Sequence, residues 1–415
     1  MNRKNIFLFF IILLFIGSSS LLHAQTKNLD FYISTGIQNS PLLKDYTNQI
    51  LSNQLDSSLI KAGLKPQVNL TSQAMYAPYY KYFGYDTTIS NGGNYTGLVG
   101  VTQSLLIKNI KAKQFENINL QNQSLTVNSK ITESDLKKTI TTQYLTAYSD
   151  FSQVQFNQTV LQQLKDEQTV VKQLVESGIY LQTDYLNISV SIKSQHVAIH
   201  QAALQFRNDL NTLNLLCGIV DTATVSLSAP SVSLKNNFDI NNSPAMMQFR
   251  IDSLKNTNDK FLIDLNYKPK LEAFADAGFM AIRPQFIQRN FGASVGLNFS
   301  VPIYDGGQRK LQNDKILLEE STRQNYQSFY TTQYQQQLNQ LKQELKMTDD
   351  LIVQIKNQLT EQLNLIDLYK TEIEKGLVRF SDYILTVNSY KDTQNNLTQT
   401  EMSRLQIINE MNYLK

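Results

Sequence analysis

Apolar positions along this chain follow two different periods, arranged in a fixed order. In 67–76, Val68, Leu70, Ala74 and Tyr76 alternate with Gln67, Asn69, Thr71 and Gln73. The alternation is cleaner in 291–301, where Phe291, Ala293, Val295, Leu297, Phe299 and Val301 interleave with Gly292, Ser294, Gly296, Asn298 and Ser300. Segments 95–103 and 271–279 complete two hairpins, the second carrying Glu272 and Asp276 on its polar side. Strands of about ten residues, apolar on one face and polar on the other, suit a transmembrane barrel. On this reading Val68, Leu70, Val295, Leu297 and Phe299 face lipid. The tip of the first hairpin is aromatic, with Tyr76, Tyr79, Tyr80, Tyr82, Phe83 and Tyr85. Such rings gather where a protein meets lipid headgroups.

The second period is helical and far longer. Neither proline nor glycine occurs from Leu106 to Val175, and one helix over that stretch would reach about 105 Å. Leu136, Ile140, Tyr144, Ala147, Phe151, Val154, Leu161, Leu164, Val171 and Val175 recur in steps of three, four or seven. That spacing predicts a helix packed along a neighbour. Gly178 interrupts it, and a returning helix is predicted from Thr183 to Leu216. Residues 308–374 and 381–414 repeat the scheme.

The repetition is literal in places. Asn39-Ser40-Pro41 recurs as Asn242-Ser243-Pro244, and Lys65-Pro66 as Lys268-Pro269. Glu176-Ser177-Gly178-Ile179 returns as Glu374-Lys375-Gly376-Leu377, and Asp184-Tyr185 as Asp382-Tyr383. The offset drifts only from 203 to 198, one loop's worth of change. Each Ser-Pro pair predicts a cap and a first helical position, and the later proline stops that helix. The chain therefore divides into a first repeat over 25–234 and a second over 235–415. Each has the order helix, β-hairpin, long helix, returning helix.

Composition removes most other readings. Sixteen Gly and eight Pro in 415 residues fall well below the usual shares of roughly 7% and 5%, so turns are few. A single cysteine, Cys217, excludes an internal disulfide and a cysteine-based zinc site. His196 and His200 are spaced for one helix face, but Val197 stands where a zinc protease carries glutamate. No metal, cofactor or catalytic motif is expected, and the chain reads as no enzyme. The formal charge of +3 comes without a basic cluster, so nucleic acid is not a partner. Residues 1–24 combine Arg3 and Lys4, an apolar run from Ile6 to Ile16 and small Ala24, the layout of a secretory signal. Eleven apolar residues span about 16 Å, short of the roughly 30 Å of a bilayer core.

Together these motifs resemble the TolC family of outer-membrane efflux proteins. The resemblance rests on Lys268-Pro269, on Val301-Pro302-Ile303-Tyr304-Asp305-Gly306-Gly307, and on a glycine six residues before an aspartate, found at Gly178 to Asp184 and Gly376 to Asp382. Leu213-Asn214-Leu215-Leu216-Cys217-Gly218 matches the close of the family's first returning helix. The first half carries Ser104-Leu105-Leu106-Ile107-Lys108 where the Pro-aromatic-Asp-Gly-Gly turn belongs. The resemblance implies a mainly α protein with transmembrane β, four strands per chain completing a 12-stranded barrel in a homotrimer, on a long α-helical tunnel in the periplasm. It implies an exit duct of a tripartite efflux or type I secretion system in the outer membrane. Its partners would be an inner-membrane pump and a periplasmic adaptor (membrane fusion) protein. Adaptor docking would map to Ser177, Gly178, Ile179, Lys375, Gly376 and Leu377, and an aperture ring to Asp184 and Asp382. Each aspartate is alternatively an N-cap of its returning helix. For the whole chain, the competing reading is a non-pore coiled-coil protein of the periplasm or surface.

Overall fold

The computed structural model describes residues 26–78, 80, 83–84, 92–106, 108–220, 223, 225–235 and 238–414. Residues 1–24, with the layout of a secretory signal, and Tyr79, Tyr82, Tyr85 and Ile107 lie outside the described residues. In chain order the elements are α1 (Leu29–Asn39), α2 (Pro41–Gly63), β1 (Gln67–Tyr76), β2 (Gly93–Ser104), α3 (Lys108–Glu176) and α4 (Gln182–Leu216). They continue with α5 (Pro244–Asn266), β3 (Lys270–Ala281), β4 (Phe291–Ser300), α6 (Gln308–Glu374) and α7 (Phe380–Asn412). The chain forms two compact units, and each draws on both sequence repeats.

One unit, 41–132 with 239–334, carries the sheet. Its four strands pair in chain order, all antiparallel, with β2 against β3 joining the halves. The register places Val68, Val101, Ala275 and Val295 in one row, and Leu70, Val99, Ala277 and Ala293 in the next. Because side chains alternate between faces, this side of the sheet is predominantly apolar, with Ser72 and Gln103 its polar members. The opposite side carries rows such as Asn69, Gly100, Asp276 and Ser294. Ser243 caps α5, its Oγ accepting from the Met246 amide at 3.1 Å, with Pro244 in the first turn. At the start of α6 the Asp305 carboxylate accepts from the amides of Gly307 (2.8 Å) and Arg309 (2.7 Å). Those bonds hold the Asp305 carboxyl below its usual range, the one from Arg309 first. Gly306 and Gly307 both have positive φ, the conformation only glycine adopts without cost.

The other unit, 26–40 with 133–238 and 335–414, is helical. Its largest core joins Tyr32, Ile140, Tyr144, Ala147, Phe206, Leu210, Leu213 and Cys217 with Val225 and Leu227. Five of the positions that the helical spacing marks in α3 are buried: Ile140, Tyr144, Ala147, Leu164 and Val171. Each large side chain so buried contributes about 1.5–3 kcal/mol. Lys27 pairs with Leu227 in a short parallel bridge, and the Tyr144 hydroxyl donates to the Ser228 carbonyl at 2.6 Å. The start of the described chain and the link between repeats are thus tied to one core.

Candidate functional site: paired helix reversals and an apolar sheet face

The first reversal begins where α3 ends. Gly178 takes φ 78°; its amide donates to the Val175 carbonyl at 3.0 Å and that of Ile179 to Leu174 at 2.9 Å. These two bonds form a Schellman motif, which satisfies carbonyls the ending helix leaves open. The second reversal repeats it. Gly376 has φ 69°, with Gly376 bonding Ile373 at 2.9 Å and Leu377 bonding Glu372 at 3.1 Å.

The two reversals also interlock. A Cβ on Gly376 would lie 2.8 Å from Cγ2 of Ile179, so the isoleucine fills the space glycine leaves. Beside it the Tyr180 hydroxyl donates to the Val378 carbonyl at 2.6 Å, and the Tyr180 ring meets Phe380 edge-on. Behind them Val171, Ile188, Ile366, Ile373, Phe380, Tyr383 and Val387 form a second core. Burial and then the neighbouring Glu167 push the Tyr383 phenol far above its usual range. Tyr180, Val378 and Phe380 were not foreseen from the sequence. The only hint was an aromatic residue two places past the first glycine.

All six residues assigned to docking are solvent-exposed, Leu377 at 72% and Ile179 at 51%. Of these only Ile179 and Leu377 are large and apolar, and Leu181, Leu186 and Leu385 nearby are exposed as well. The aspartates occupy the third position of their helices, because the N-caps are Leu181 and Arg379. That corrects the reading of either as an N-cap. The Asp184 carboxylate reaches back to accept from the Leu181 amide at 3.1 Å. The Asp382 carboxylate accepts from the Ser381 hydroxyl at 3.4 Å.

Val68, Leu70, Val295, Leu297 and Phe299 share the apolar face of the sheet, and each is at least 64% exposed. Tyr76, Tyr80 and Phe83 are exposed as well. The edge strands β1 and β4 contain no charged residue and no proline, whereas β3 holds Lys270, Glu272 and Asp276. Among the described residues no helix is long and apolar enough to cross a membrane, and no group of His, Cys, Asp and Glu could hold a metal ion. His196 and His200 are both exposed.

No protein-family profile and no curated protein matches the sequence. Solved structures do. The channel CusC superposes with a TM-score of 0.74 at 13% identity, covering 94% of this chain and 92% of its own. The open-state MtrE outer-membrane channel of Neisseria gonorrhoeae gives 0.73 at 11%, covering 93% and 88%. The outer-membrane channel OprN gives 0.72 at 12%, covering 93% and 89%. The fold is that of the TolC-family outer-membrane channels. At such low identity the likeness establishes the TolC-type fold, and what this chain carries has to be argued from its own residues.

Proposed function

We propose that the protein is a passive outer-membrane exit duct, its helical part in the periplasm, serving a tripartite efflux or type I secretion system. One observation carries the reading: a four-stranded sheet with an exposed apolar face and two long edges bare of charge and proline. Soluble proteins guard such edges with lysine, proline or bulges. In lipid each unpaired backbone group costs several kcal/mol, so only closed barrels persist, and the smallest have eight strands. Several copies must therefore share one barrel, and three would give twelve strands, as in the TolC type. The apolar face would meet lipid and the face with Asp276 would line the lumen.

In this reading the reversals form the periplasmic end. Ser177, Gly178, Ile179, Lys375, Gly376 and Leu377 present the surface for an adaptor protein that couples the duct to an inner-membrane pump. Asp184 and Asp382, two per chain, would ring the aperture, where carboxylates attract cations. Transport through such a duct needs no bond-making step and no cofactor. The test is direct: mature protein purified in detergent should have trimer mass by light scattering, migrate differently when heated, and conduct ions in planar bilayers. A monodisperse monomer that retains its β-signal and never conducts would overturn the proposal in favour of a non-pore coiled-coil protein.

A further inference from the structure

Within the helical unit, α3 and α4 meet at two carboxyl groups, Asp150 and Asp209. Each oxygen of the Asp209 carboxylate accepts one amide bond and can accept more: Gln143 Nε2 donates to Oδ1 at 3.1 Å and Gln205 Nε2 to Oδ2 at 2.7 Å. Asp150 differs, since its Oδ2 is shut off from solvent without a hydrogen-bond partner. The Gln143 and Gln205 amides donate to Asp209, and a proton on Asp150 would let that oxygen donate to Asp209 as well. A buried oxygen left unpaired would cost far more than one that donates.

The surrounding charges do not offer another solution. Helix α4 packs against α1 and α7, and the only charged residue of α1 is Asp30. On α7, Lys391 donates to Gln195, Glu401 pairs with Lys356 and Arg404 with Asp349, leaving the acids Asp382, Asp392 and Glu410. On α3 and α4 themselves the basic groups nearest in sequence are Lys138 and Arg207. Among the described residues no lysine, arginine or histidine makes an ion pair or hydrogen bond with Asp150 or Asp209. Burial and then the bond and charge of Asp209 push the Asp150 carboxyl up to about 7. For Asp209, burial is outweighed by its bonds from Asp150, Gln143 and Gln205, which hold it below the usual range.

The second repeat solves the same problem differently. At the offset of 198 that relates the reversals, Asp150 and Asp209 correspond to Thr348 and Ile407, so no acid pair recurs there, and the neighbouring charged residues include Asp349 on α6 and Arg404 on α7. Those two form an ordinary ion pair across the α6–α7 seam. One hairpin is therefore fastened by opposite charges and the other by two like groups.

We infer that Asp150 and Asp209 share a single proton across the α3–α4 seam, making the first helical hairpin a pH-sensitive clasp while the second stays indifferent to pH. The sign follows from linkage. The folded seam holds a proton on Asp150 that an opened, solvated seam gives up at the ordinary carboxylate value, so closure is favoured on the acidic side. Opening should grow as pH rises from about 4, by at most about tenfold per unit, and level off above about 7.

The experiment uses the full mature chain in detergent. Infrared titration from pH 5 to 9 should show a carboxylic-acid carbonyl band at pH 6 that disappears by pH 8.5. Asp150→Asn should remove that band; Asp209→Asn should move its loss to lower pH. The difference spectrum against Asp150→Asn separates it from Asp259, whose carboxyl is also raised by burial and Glu319. In parallel, hydrogen exchange in 143–154 and 203–214, corrected for intrinsic rates, should accelerate between pH 5 and 7. It should be flat in Asp150→Asn, and flat across the α6–α7 seam in both proteins. A wild type with no acid band at pH 6, or a band that survives Asp150→Asn, overturns the clasp. Wild-type measurement alone decides the first outcome even where the variant folds poorly. Neither result depends on pore conduction, so the clasp and the channel reading fail separately.

Discussion

The apolar face of the sheet makes its sharpest demand at β4. Val295 sits mid-strand, 83% exposed, in a row with Ala275 of β3. Leu297 lies two residues on, about 7 Å along the strand, at 66% exposure. Asn298 points the other way, opposite Glu272. If the apolar face meets lipid, arginine near the bilayer midplane costs about 2–4 kcal/mol, falling toward about 0–1 near the interfaces. Val295→Arg should therefore show the full penalty and Leu297→Arg the lower part of that range. Asn298→Arg should cost less than about 1 kcal/mol, since its new charge faces a carboxylate on the lumenal side. In a folding equilibrium into phospholipid vesicles, 2–4 kcal/mol is a loss of about 30-fold to nearly 1000-fold. The assay is urea-dependent insertion followed by heat-modifiable migration. Equal penalties at Leu297 and Asn298 would mean that the two faces see the same medium, and the barrel assignment would fall with them.

The interlocked reversals give a second test. Gly376→Ala adds a Cβ 2.8 Å from Ile179 in a backbone with φ 69°, and should destabilise the tip more than Gly178→Ala, which has φ 78° but open space. The latter should cost the left-handed penalty alone, about 1–2 kcal/mol. Adding Ile179→Ala should rescue part of the Gly376→Ala loss in hydrogen exchange over 370–385, and no rescue would refute the contact. For the proposed adaptor surface, cysteine placed at Ile179 or Leu377 should crosslink to a co-expressed adaptor, and silence from both in a working pump would remove these residues from docking.

The strands and long helices were readable because each rests on one unbroken period. Predicted and observed β1 and α6 coincide, and β4 differs by one residue, since period two ends where Pro302 begins a turn. Helix α1 was not readable. Its sequence LDFYISTGIQN carries a glycine and β-branched residues that oppose a helix, and its stability comes from contacts far away in the chain. Tyr32 is fully buried, Gly36 lies close against Ile140 and Cys217, and Asn28 caps the Phe31 amide at 2.9 Å. The candidate site was legible in its residue types and not in its contacts. The repeat offset aligns Ile179 with Leu377, yet the isoleucine packs on Gly376. Pairing of one repeat with the other is a tertiary fact that no local pattern carries. The acid pair at Asp150 and Asp209 was invisible for the same reason, as nothing in either helix alone marks a shared proton.

The aspartates at the reversals show how a local role and a lumenal role can be told apart. Both occupy a third helical position, where a negative charge is favoured by the helix dipole by about 0.3–1 kcal/mol. Only Asp184 also closes on its own N-cap amide, at 3.1 Å. A purely structural role is therefore unequal: Asp184→Asn should cost up to about 1 kcal/mol and Asp382→Asn a few tenths, about 0.3 kcal/mol. A lumenal role has no reason to follow that order, because what matters there is charge at the axis. Asp382 is exposed and Asp184 half-buried, so the aperture reading predicts that Asp382→Asn lowers cation selectivity and block by multivalent cations at least as much as Asp184→Asn. The double variant should lose the most while remaining trimeric. Conductance and reversal potential in planar bilayers, set beside thermal unfolding of the same four proteins, measure both orders at once. If selectivity is unchanged in the double variant, or declines only in step with stability, the aspartates serve their helices and the aperture is lined by something else.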